Sequence, residues 1–390
     1  MVNTGKEQRQ PDQPGQAPFV SICVPAYNAA GTLGQTLDSL LAQRYSNFEI
    51  IVSDNHSTDA TPQVIQSYAA RGVRYCQPDT APDWLVGKPS YIGAYVNANF
   101  VSKRGTGEFL CLYHADDLYH PDMVARQAAL MEANPHVGAV FTALRTIGPD
   151  GQPIRMGEWL MPGPLQGRQV FDFASVFNAI LVYGNFLYTP SVMLRRSVLD
   201  AVGDFDEERF RTSADLEMFL RIAQRFSIGI INEPLLNYRI SPKQYSAQYN
   251  RLRTTPADFF TVIDHFLAQP AVQSLATPEA MASYLFQRSK DQIDCATNML
   301  LQGRVDEAAA LLRSATQKEH FATAVRRRSK RLAYLFFGVG LLASSRVGLG
   351  PQAARLLHEA EQLRMQRRQS ASSSQVQPLA GAARRSSDPV

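Results

Sequence analysis

The sequence predicts an α/β protein in which a mostly parallel sheet with packed helices is followed by an all-helical C-terminal region. From Phe19 to Arg239, short apolar runs alternate with amphipathic stretches. Strands separated by helical stretches of about 10 to 15 residues indicate βαβ units and a parallel sheet. Beyond Arg251 the strand-like runs stop, and residues 255–365 have only helical periodicity.

The first strand and the helix after it have the clearest patterns. The run FVSICVP is short and continuously apolar, as expected of a strand buried on both faces. Thr32 is placed to cap a helix in which the leucines between Leu33 and Leu41 recur at helical spacing. The two elements together form the start of a βαβ unit.

The remaining elements of the sheet region follow in order. FEIIVS, GVRYC, EFLCLY and VGAVFTAL read as strands. Thr61-Pro62 and His120-Pro121 mark helix starts, because a proline in the first turn costs no hydrogen bond. The Gly/Pro-rich segment 150–181 is left unassigned, and the helix ADLEMFLRIAQRF and the strand IGIIN follow it.

We therefore expect four parts along the chain. Residues 1–17 form a flexible leader, 18–250 the sheet domain, 251–365 a helical domain, and 366–390 a disordered tail rich in Ser, Gln and Arg. The polar, proline-rich N-terminus is unlike a signal peptide. The longest apolar stretch, residues 332–343, is shorter than the roughly 18 residues that a membrane span needs.

Charge and cysteine usage exclude further classes. Net charge is +4, from 39 basic and 35 acidic residues, which is too small for a dedicated nucleic-acid binder. The four cysteines are far apart in the sequence and form no CxxC pair, so we expect reduced thiols in a cytoplasmic protein without structural zinc.

Three polar clusters follow predicted strands. They are Pro25 to Asn28, Ser53 to Asp59, and His114 to Asp117. Because ligands bind beyond the carboxyl ends of strands in open α/β sheets, the three together predict one site. Each cluster alone is commonly a turn or a helix cap, and Thr58 and Asp59 fit that interpretation.

Asp116 and Asp117 are adjacent carboxylates directly after a buried strand. They repel each other unless a positive charge lies near. A hard divalent cation such as Mg²⁺ or Mn²⁺ supplies that charge and keeps positions open for phosphates. The alternative is that Asp117 caps a turn while Asp116 pairs with an arginine, and the sequence leaves both open.

These motifs resemble those of the family 2 glycosyltransferases, which have the GT-A fold. The resemblance covers about residues 18–245 and rests on VSICVPAYNA, FEIIVSDNHSTDAT, HADDLYHPD and the later VGDFDEERFRTSADLEMFLRIAQRF and EPLLNYRIS. It implies a nucleotide site with the following residues: Pro25, Tyr27 and Asn28 beside the nucleotide, and Asp54 and Asn55 at its base and ribose.

The resemblance also implies roles for acidic residues. Asp116 matches the metal-binding aspartate of the family's DxD motif, and Asp117 its neighbour at the sugar or phosphate. Asp215 matches the catalytic base; its alternative is an acidic residue that the dipole of a helix N-terminus favours. We expect Glu217 on the solvent-facing side of the same helix.

Three positions depart from the family's pattern. His114 stands where the DxD motif begins with aspartate, which alters one ribose or metal contact. Ala98-Asn99 replaces an Arg-Asn pair, and Lys88 or Lys103 could substitute for the lost cation, although we favour an ordinary surface lysine at both positions. Ile240-Ser241 follows Tyr238-Arg239, where a histidine is common. We retain a divalent metal (Mn²⁺ or Mg²⁺) as cofactor, with affinity lowered by these changes.

The resemblance predicts an inverting enzyme that moves one sugar from a nucleotide-sugar, most simply a UDP-sugar, to a hydroxyl group. The acceptor would be a glycan or lipid-linked molecule in cell-envelope or exopolysaccharide synthesis. A Gln-x-x-Arg-Trp motif, typical of processive synthases, is absent from the sequence. The alternatives are a catalytically degenerate nucleotide-binding or interaction module and a nucleotidyltransferase.

The basic run that includes Arg326, Arg327, Arg328, Lys330 and Arg331 precedes the apolar run LAYLFFGVGLLA. Basic side chains attract anionic lipid headgroups, so residues 326–343 could contact the inner face of the plasma membrane. The alternative is a solvated basic helix face beside an apolar run that packs within the helical domain.

Overall fold

The computed structural model describes residues 17–79, 90–241, 253–317, 331–356 and 358–359. Most of the expected leader and the whole expected tail lie outside the described residues. Lys88 and the basic run 326–330 also lie outside the described residues. The description that follows concerns the described ranges alone.

The N-terminal half alternates strands with helices, as the sequence predicts. Its elements are β1 (Val20–Ala26), α1 (Leu33–Leu41), β2 (Phe48–Asp54), α2 (Thr61–Ser67), β3 (Val73–Cys76), α3 (Ser90–Ser102), β4 (Phe109–Leu112), β5 (Leu118–Tyr119), α4 (Met123–Ala133) and β6 (Val137–Ile147). Every strand named from the sequence in this half is present, and so are the helices, although the one expected to start at His120-Pro121 begins at Met123, with Asp122 at its N-cap.

The segment that the sequence left unassigned forms a hairpin strand and a helix. The elements from there to the last strand are β7 (Pro153–Trp159), β8 (Val170–Phe171), α5 (Phe173–Tyr183), β9 (Val192–Arg195), α6 (Arg196–Val202), α7 (Glu207–Phe210), α8 (Ala214–Ala223) and β10 (Ser227–Arg239). The strand predicted as IGIIN is longer than expected and continues to Arg239.

One ten-stranded sheet holds these elements together. Its order is β3-β2-β1-β4-β9-β6-β10-β5, with β7 paired to β6 and β8 to β10. β1, β2, β3 and β4 are parallel, and β9 runs antiparallel between β4 and β6. β6 and β10 therefore run in the same direction as β1 to β4, whereas β5, β7, β8 and β9 run antiparallel to the strands they pair with, so the sheet is mixed, with the parallel part that the sequence predicts on one side.

The two faces of the sheet belong to two hydrophobic clusters. In β1, Ile22 and Val24 lie in one cluster and Cys23 in the other, because successive side chains of a strand point to opposite faces. The four cysteines are free thiols; Cys23, Cys111 and Cys295 are buried, and Cys76 is half-buried. This agrees with the expectation of reduced cysteines.

The chain after β10 is helical over its described residues. The helices are α9 (Asp258–Leu267), α10 (Pro270–Leu275), α11 (Pro278–Leu301), α12 (Val305–Ala315) and α13 (Arg331–Arg346). No helix among them combines the length and apolar character that crossing a bilayer requires.

Two compact units divide the described chain. The first contains residues 17–241 and 257–285, and the second contains 253–256 and 286–359. The division falls within α11 rather than near residue 250, because Phe260, Ile263 and Phe266 of α9 pack into the core of the first unit. The domain limits expected from the sequence remain a prediction.

Gly107, in the turn before β4, is expected to be sensitive to substitution. A Cβ atom there would lie 2.6 Å from both Phe19 O and Ser21 N, which are backbone atoms at the start of β1. We expect Gly107→Ala to lower the free energy of unfolding by about 1–3 kcal/mol, measured by urea denaturation. Gly163→Ala is the control, since nothing lies within 4 Å of its Cβ, and equal stability of the two variants would contradict this reading.

Candidate active site

The sheet register brings the three predicted clusters to one edge. β1 pairs with both β2 and β4, so the residues after Ala26, Asp54 and Leu112 emerge at the same end. Antiparallel pairing adds the start of β9 to that edge, because Val192 lies opposite Leu112. The end of β10 joins through its parallel pairing with β6.

The segments after β1 and β2 are joined by hydrogen bonds. Asn28 Oδ1 accepts from Thr58 N (2.8 Å), and Asn28 N donates to Ser57 Oγ (2.8 Å). Asp59 accepts from Thr61 N (2.9 Å) and Ala30 N (3.1 Å), so it fixes the start of α2 as well as the loop after β1. The helix-cap interpretation of this acidic residue is thus supported by its contacts.

Asp54 and Asn55 end β2 in defined positions. The Asp54 carboxylate is fully buried and accepts from Ser57 N (3.2 Å) and Gln77 Nε2 (3.3 Å). Asn55 N donates to Ala26 O (2.8 Å), which ties the ends of β1 and β2 together. Of the residues expected beside the nucleotide, Pro25 is half-buried, and Tyr27 has 54% of its surface exposed.

His56 lies between these residues in an unusual conformation. Its φ of 58° is in the left-handed region, which costs a non-glycine residue energy. Its Nε2 atom is buried and has no hydrogen-bond partner among the described residues. Sequence reasoning included His56 in a cluster without giving it a role.

His114, Asp116 and Asp117 form a compact group after β4. One ligand atom from each lies within 4.8 Å of the others. Asp117 is fully buried, and its Oδ1 accepts from Arg239 N (2.8 Å). Its Oδ2 is buried too and has no hydrogen-bond partner in the described part of the chain.

The pKa shifts of this group are those of buried side chains that could bind a cation. Burial raises the pKa of Asp117 well above its ordinary value, and the neighbouring Asp116 adds to the rise. Burial lowers the pKa of His114, although Asp116 opposes this, so its imidazole is neutral at pH 7. Carboxylate oxygens with a neutral imidazole are suitable ligands for Mn²⁺ or Mg²⁺.

Hydroxyl groups of α1 and β5 hold the backbone of this group. Thr32 Oγ1 donates to Ala115 O (3.1 Å), and Thr36 Oγ1 donates to Asp117 O (2.9 Å). Thr32 precedes α1, but its side chain makes no capping hydrogen bond, so the predicted cap is wrong: its hydroxyl binds this loop instead. His114 N donates to Tyr119 OH (2.7 Å).

Arg239 is a buried arginine behind the acidic pair. Its Nε donates to Asp116 O (2.6 Å), and its guanidinium also donates to Pro149 O (2.9 Å) and Gln35 Oε1 (2.8 Å). The sequence singled out this residue only as part of the Tyr-Arg pair. Its contacts were unpredictable because Gln35 and Pro149 are distant in the sequence.

Asp215 lies in the first turn of α8 and is half-buried. Its Oδ2 accepts from Thr189 Oγ1 (2.8 Å), and its Oδ1 from Leu216 N (2.7 Å). Burial raises the pKa of Asp215, while hydrogen bonds from Thr189, Leu216 and Tyr95 offset part of the rise. Thr189 begins the short 3-10 turn Thr189–Ser191 that leads into β9, so this contact brings Asp215 towards the edge that carries His114.

The departures from the family pattern have structural consequences. Ala98 is buried in the core, and Asn99 exchanges hydrogen bonds with the backbone of Phe205. Lys103 pairs with Asp204, as expected of a surface lysine. The expectation that Glu217 faces solvent is wrong: it is 5% exposed and pairs with Arg221 (2.9 Å).

Residues 21–203 match the model of the family described as glycosyl transferase family 2. The match spans a little under half of the chain, and over those residues the chain is similar to this family. The resemblance seen in the sequence and the prediction of a glycosyltransferase are thereby confirmed.

Curated relatives of the family match the same part of the chain. The amylovoran biosynthesis glycosyltransferase AmsB of Erwinia amylovora is 26% identical over 227 residues, which are 56% of this chain and 69% of AmsB. Across this and seven further curated relatives, the match covers 47–69% of the relative's own length.

Solved structures confirm the GT-A fold. S. aureus TarS 1-349 in complex with UDP-GlcNAc is 19% identical with a TM-score of 0.53, covering 85% of this chain and 92% of that one. The mannosyltransferase PcManGT of Pyrobaculum calidifontis, in complex with GDP-Man and Mn²⁺, is 18% identical with a TM-score of 0.51, covering 85% and 88%. At these identities the likeness is one of fold.

The hydrogen bond from Thr189 allows a test of the environment of Asp215. We expect Thr189→Val to raise the pKa of Asp215 further, because the bond stabilises the charged form. Carboxyl ¹³C NMR of aspartate-labelled protein measures the shift, with Asp215→Asn to assign the signal. An unchanged titration would show that the contact contributes nothing to the charge of Asp215.

Proposed function

We propose that the chain is an inverting glycosyltransferase that moves a single sugar from a UDP-sugar to a hydroxyl of a glycan or lipid-linked acceptor. The observation that carries the proposal is the group His114, Asp116 and Asp117 at the carboxyl edge, with an unpartnered, buried carboxylate oxygen. In this family such a group serves nucleotide-sugar chemistry.

The residues present fit a divalent metal. Asp116 is the metal ligand expected from the sequence. His114 and Asp117, which were expected at the donor, add two further ligands: the imidazole of His114 and the Oδ2 atom of Asp117, which has no hydrogen-bond partner among the described residues. A hard cation prefers such oxygen-rich sites. When bound, Mn²⁺ or Mg²⁺ would neutralise charge on the departing nucleoside diphosphate.

The other site residues have complementary tasks. Asp215 takes the proton of the acceptor hydroxyl, and its raised pKa makes it a better base than an ordinary aspartate. Thr189 Oγ1 and Leu216 N orient its two oxygens. Direct displacement by that hydroxyl inverts the anomeric carbon.

We place the donor along the ends of β1 and β2. Pro25, Tyr27 and Asn28 border the nucleotide, and Asp54 and Asn55 hold its base and ribose. The choice of UDP is supported by TarS, whose solved complexes contain UDP and UDP-GlcNAc, while PcManGT was solved with GDP-Man. Polysaccharide synthesis is supported by the name of AmsB.

The alternatives are less well supported. A nucleotidyltransferase would use a basic, glycine-rich loop after the first strand, and PAYNAAGTLG contains no Lys or Arg. A degenerate interaction module has no need of a buried carboxylate with one oxygen that lacks a hydrogen-bond partner among the described residues, since burying such an oxygen is costly.

We propose that the enzyme works in the cytoplasm and touches the membrane through residues 326–343. Between Glu319 and Glu359 the sequence has seven Lys or Arg residues and no acidic residue. In α13, Phe336 and Val339 are 62% and 39% exposed, whereas Leu335 and Leu341 pack in the helical unit. An apolar helix face within a basic segment suits an anionic lipid surface.

Vesicle sedimentation tests this contact. We expect binding to phosphatidylglycerol vesicles to fall about tenfold in a Phe336→Ser, Val339→Ser double variant, because the exposed apolar face is lost. Tyr183→Ser, which removes an exposed aromatic ring of the other unit, is the control. Equal binding of both variants to phosphatidylglycerol vesicles would contradict the proposal. So would equal binding of the unmodified protein to phosphatidylglycerol and to neutral vesicles.

Isothermal titration of UDP, GDP and CMP, with and without Mn²⁺, tests the function. We expect UDP to bind only with Mn²⁺, and at least about tenfold more weakly in Asp116→Ala. Lys103→Ala, at a surface ion pair, is the control and should bind like the unmodified protein. Failure of every nucleotide to bind with or without metal would favour the degenerate module.

A further inference from the structure

A row of three aromatic side chains includes Tyr188, the chain neighbour of the residue that binds Asp215. The ring centroids of Tyr238 and Tyr188 lie 5.9 Å apart, and those of Tyr188 and Trp159 lie 6.3 Å apart at nearly a right angle. Trp159 is 46% exposed, and both tyrosines are half-buried. The row therefore leads from the site interior to the surface.

Both inner rings are next to residues of the site. Tyr188 directly precedes Thr189, whose hydroxyl binds Asp215. Tyr238 directly precedes Arg239, whose backbone N–H binds Asp117. The backbone that carries the two inner rings is thus one residue away from contacts with the carboxylate that would accept the proton and with the carboxylate of the metal group.

We propose that Trp159, Tyr188 and Tyr238 form an acceptor platform that stacks against a pyranose ring. This rests on the proposed function and narrows its acceptor to a carbohydrate whose terminal sugar lies on aromatic rings. An aromatic face carries negative potential, and the C–H groups on one side of a pyranose are weakly positive, so the two attract.

The polarity of the row suits such an acceptor. Trp159 offers a broad apolar surface that is costly to leave in water, and its neighbour Leu160 is 48% exposed as well. Burial raises the pKa of Tyr188 to about 12, so its hydroxyl remains a hydrogen-bond donor at neutral pH. Rings bind the face of a sugar while hydroxyl groups of the protein and sugar bind each other.

Tryptophan fluorescence tests the platform directly. The chain has two tryptophans, and in a Trp84→Phe variant all indole emission comes from Trp159. The probes are the methyl glycosides of glucose, galactose, mannose and N-acetylglucosamine, added with UDP and Mg²⁺ present, and sorbitol as an acyclic control. We expect at least one glycoside to change the emission saturably. If no glycoside changes the indole emission more than sorbitol does, the proposed acceptor platform is ruled out.

Variants then separate stacking from structure. Ligand-observed NMR should show that Trp159→Ala weakens binding of the responding glycoside at least about tenfold, whereas Trp159→Phe keeps it within about threefold. Tyr183→Ala, which removes another exposed ring, should not affect it. Equal weakening by the Ala and Phe variants would overturn the stacking role.

Nucleotide affinity distinguishes this proposal from the one on which it rests. If UDP binds and the glycosides do not, the platform fails while the proposed function stands. If Trp159→Ala weakens UDP binding as much as glycoside binding, the ring belongs to the donor side and the acceptor assignment is wrong. If UDP does not bind the unmodified protein, the proposed function itself fails.

Discussion

The hydrogen bond between Arg239 N and Asp117 Oδ1 is the contact on which the site depends (2.8 Å). It fixes one oxygen of a fully buried carboxylate and leaves the other with no hydrogen-bond partner among the residues that the structure describes. A buried charge without compensation is destabilising, so a site of this kind requires a cation or a proton. The Arg239 side chain strengthens the arrangement by binding Asp116 O (2.6 Å), which couples the last strand to the loop after β4.

The second carboxylate, Asp215, has a different environment, which agrees with the different role proposed for it. Asp215 has hydrogen-bond donors at both oxygens, and its pKa is raised by burial but partly restored by those donors. A carboxylate in that condition remains able to accept a proton, whereas Asp117 is suited to binding a cation. The antiparallel strand β9 makes this division possible, since its pairing with β4 places Thr189 at the edge that carries His114.

The local part of this account could be predicted from the sequence, and the long-range part could not. Apolar periodicity located β1, β2 and β4 and thus the loops after them, because strand and helix periods are local properties. The contacts of Thr36 with Asp117, of Thr189 with Asp215 and of Arg239 with Asp116 join residues far apart in the chain. Glu217 shows the limit of periodicity: its pairing with Arg221 allows an acidic residue to be buried where a solvent-facing position was expected.

The measurement that tests the central claim most directly is pulsed electron paramagnetic resonance of Mn²⁺ with the protein and UDP. The account predicts one bound Mn²⁺ per chain, coupled to the ³¹P nuclei of the diphosphate and to a ¹⁴N nucleus that disappears in His114→Gln. A spectrum identical to that of Mn²⁺ and UDP without protein would contradict the claim that His114, Asp116 and Asp117 form a metal site for a nucleoside diphosphate.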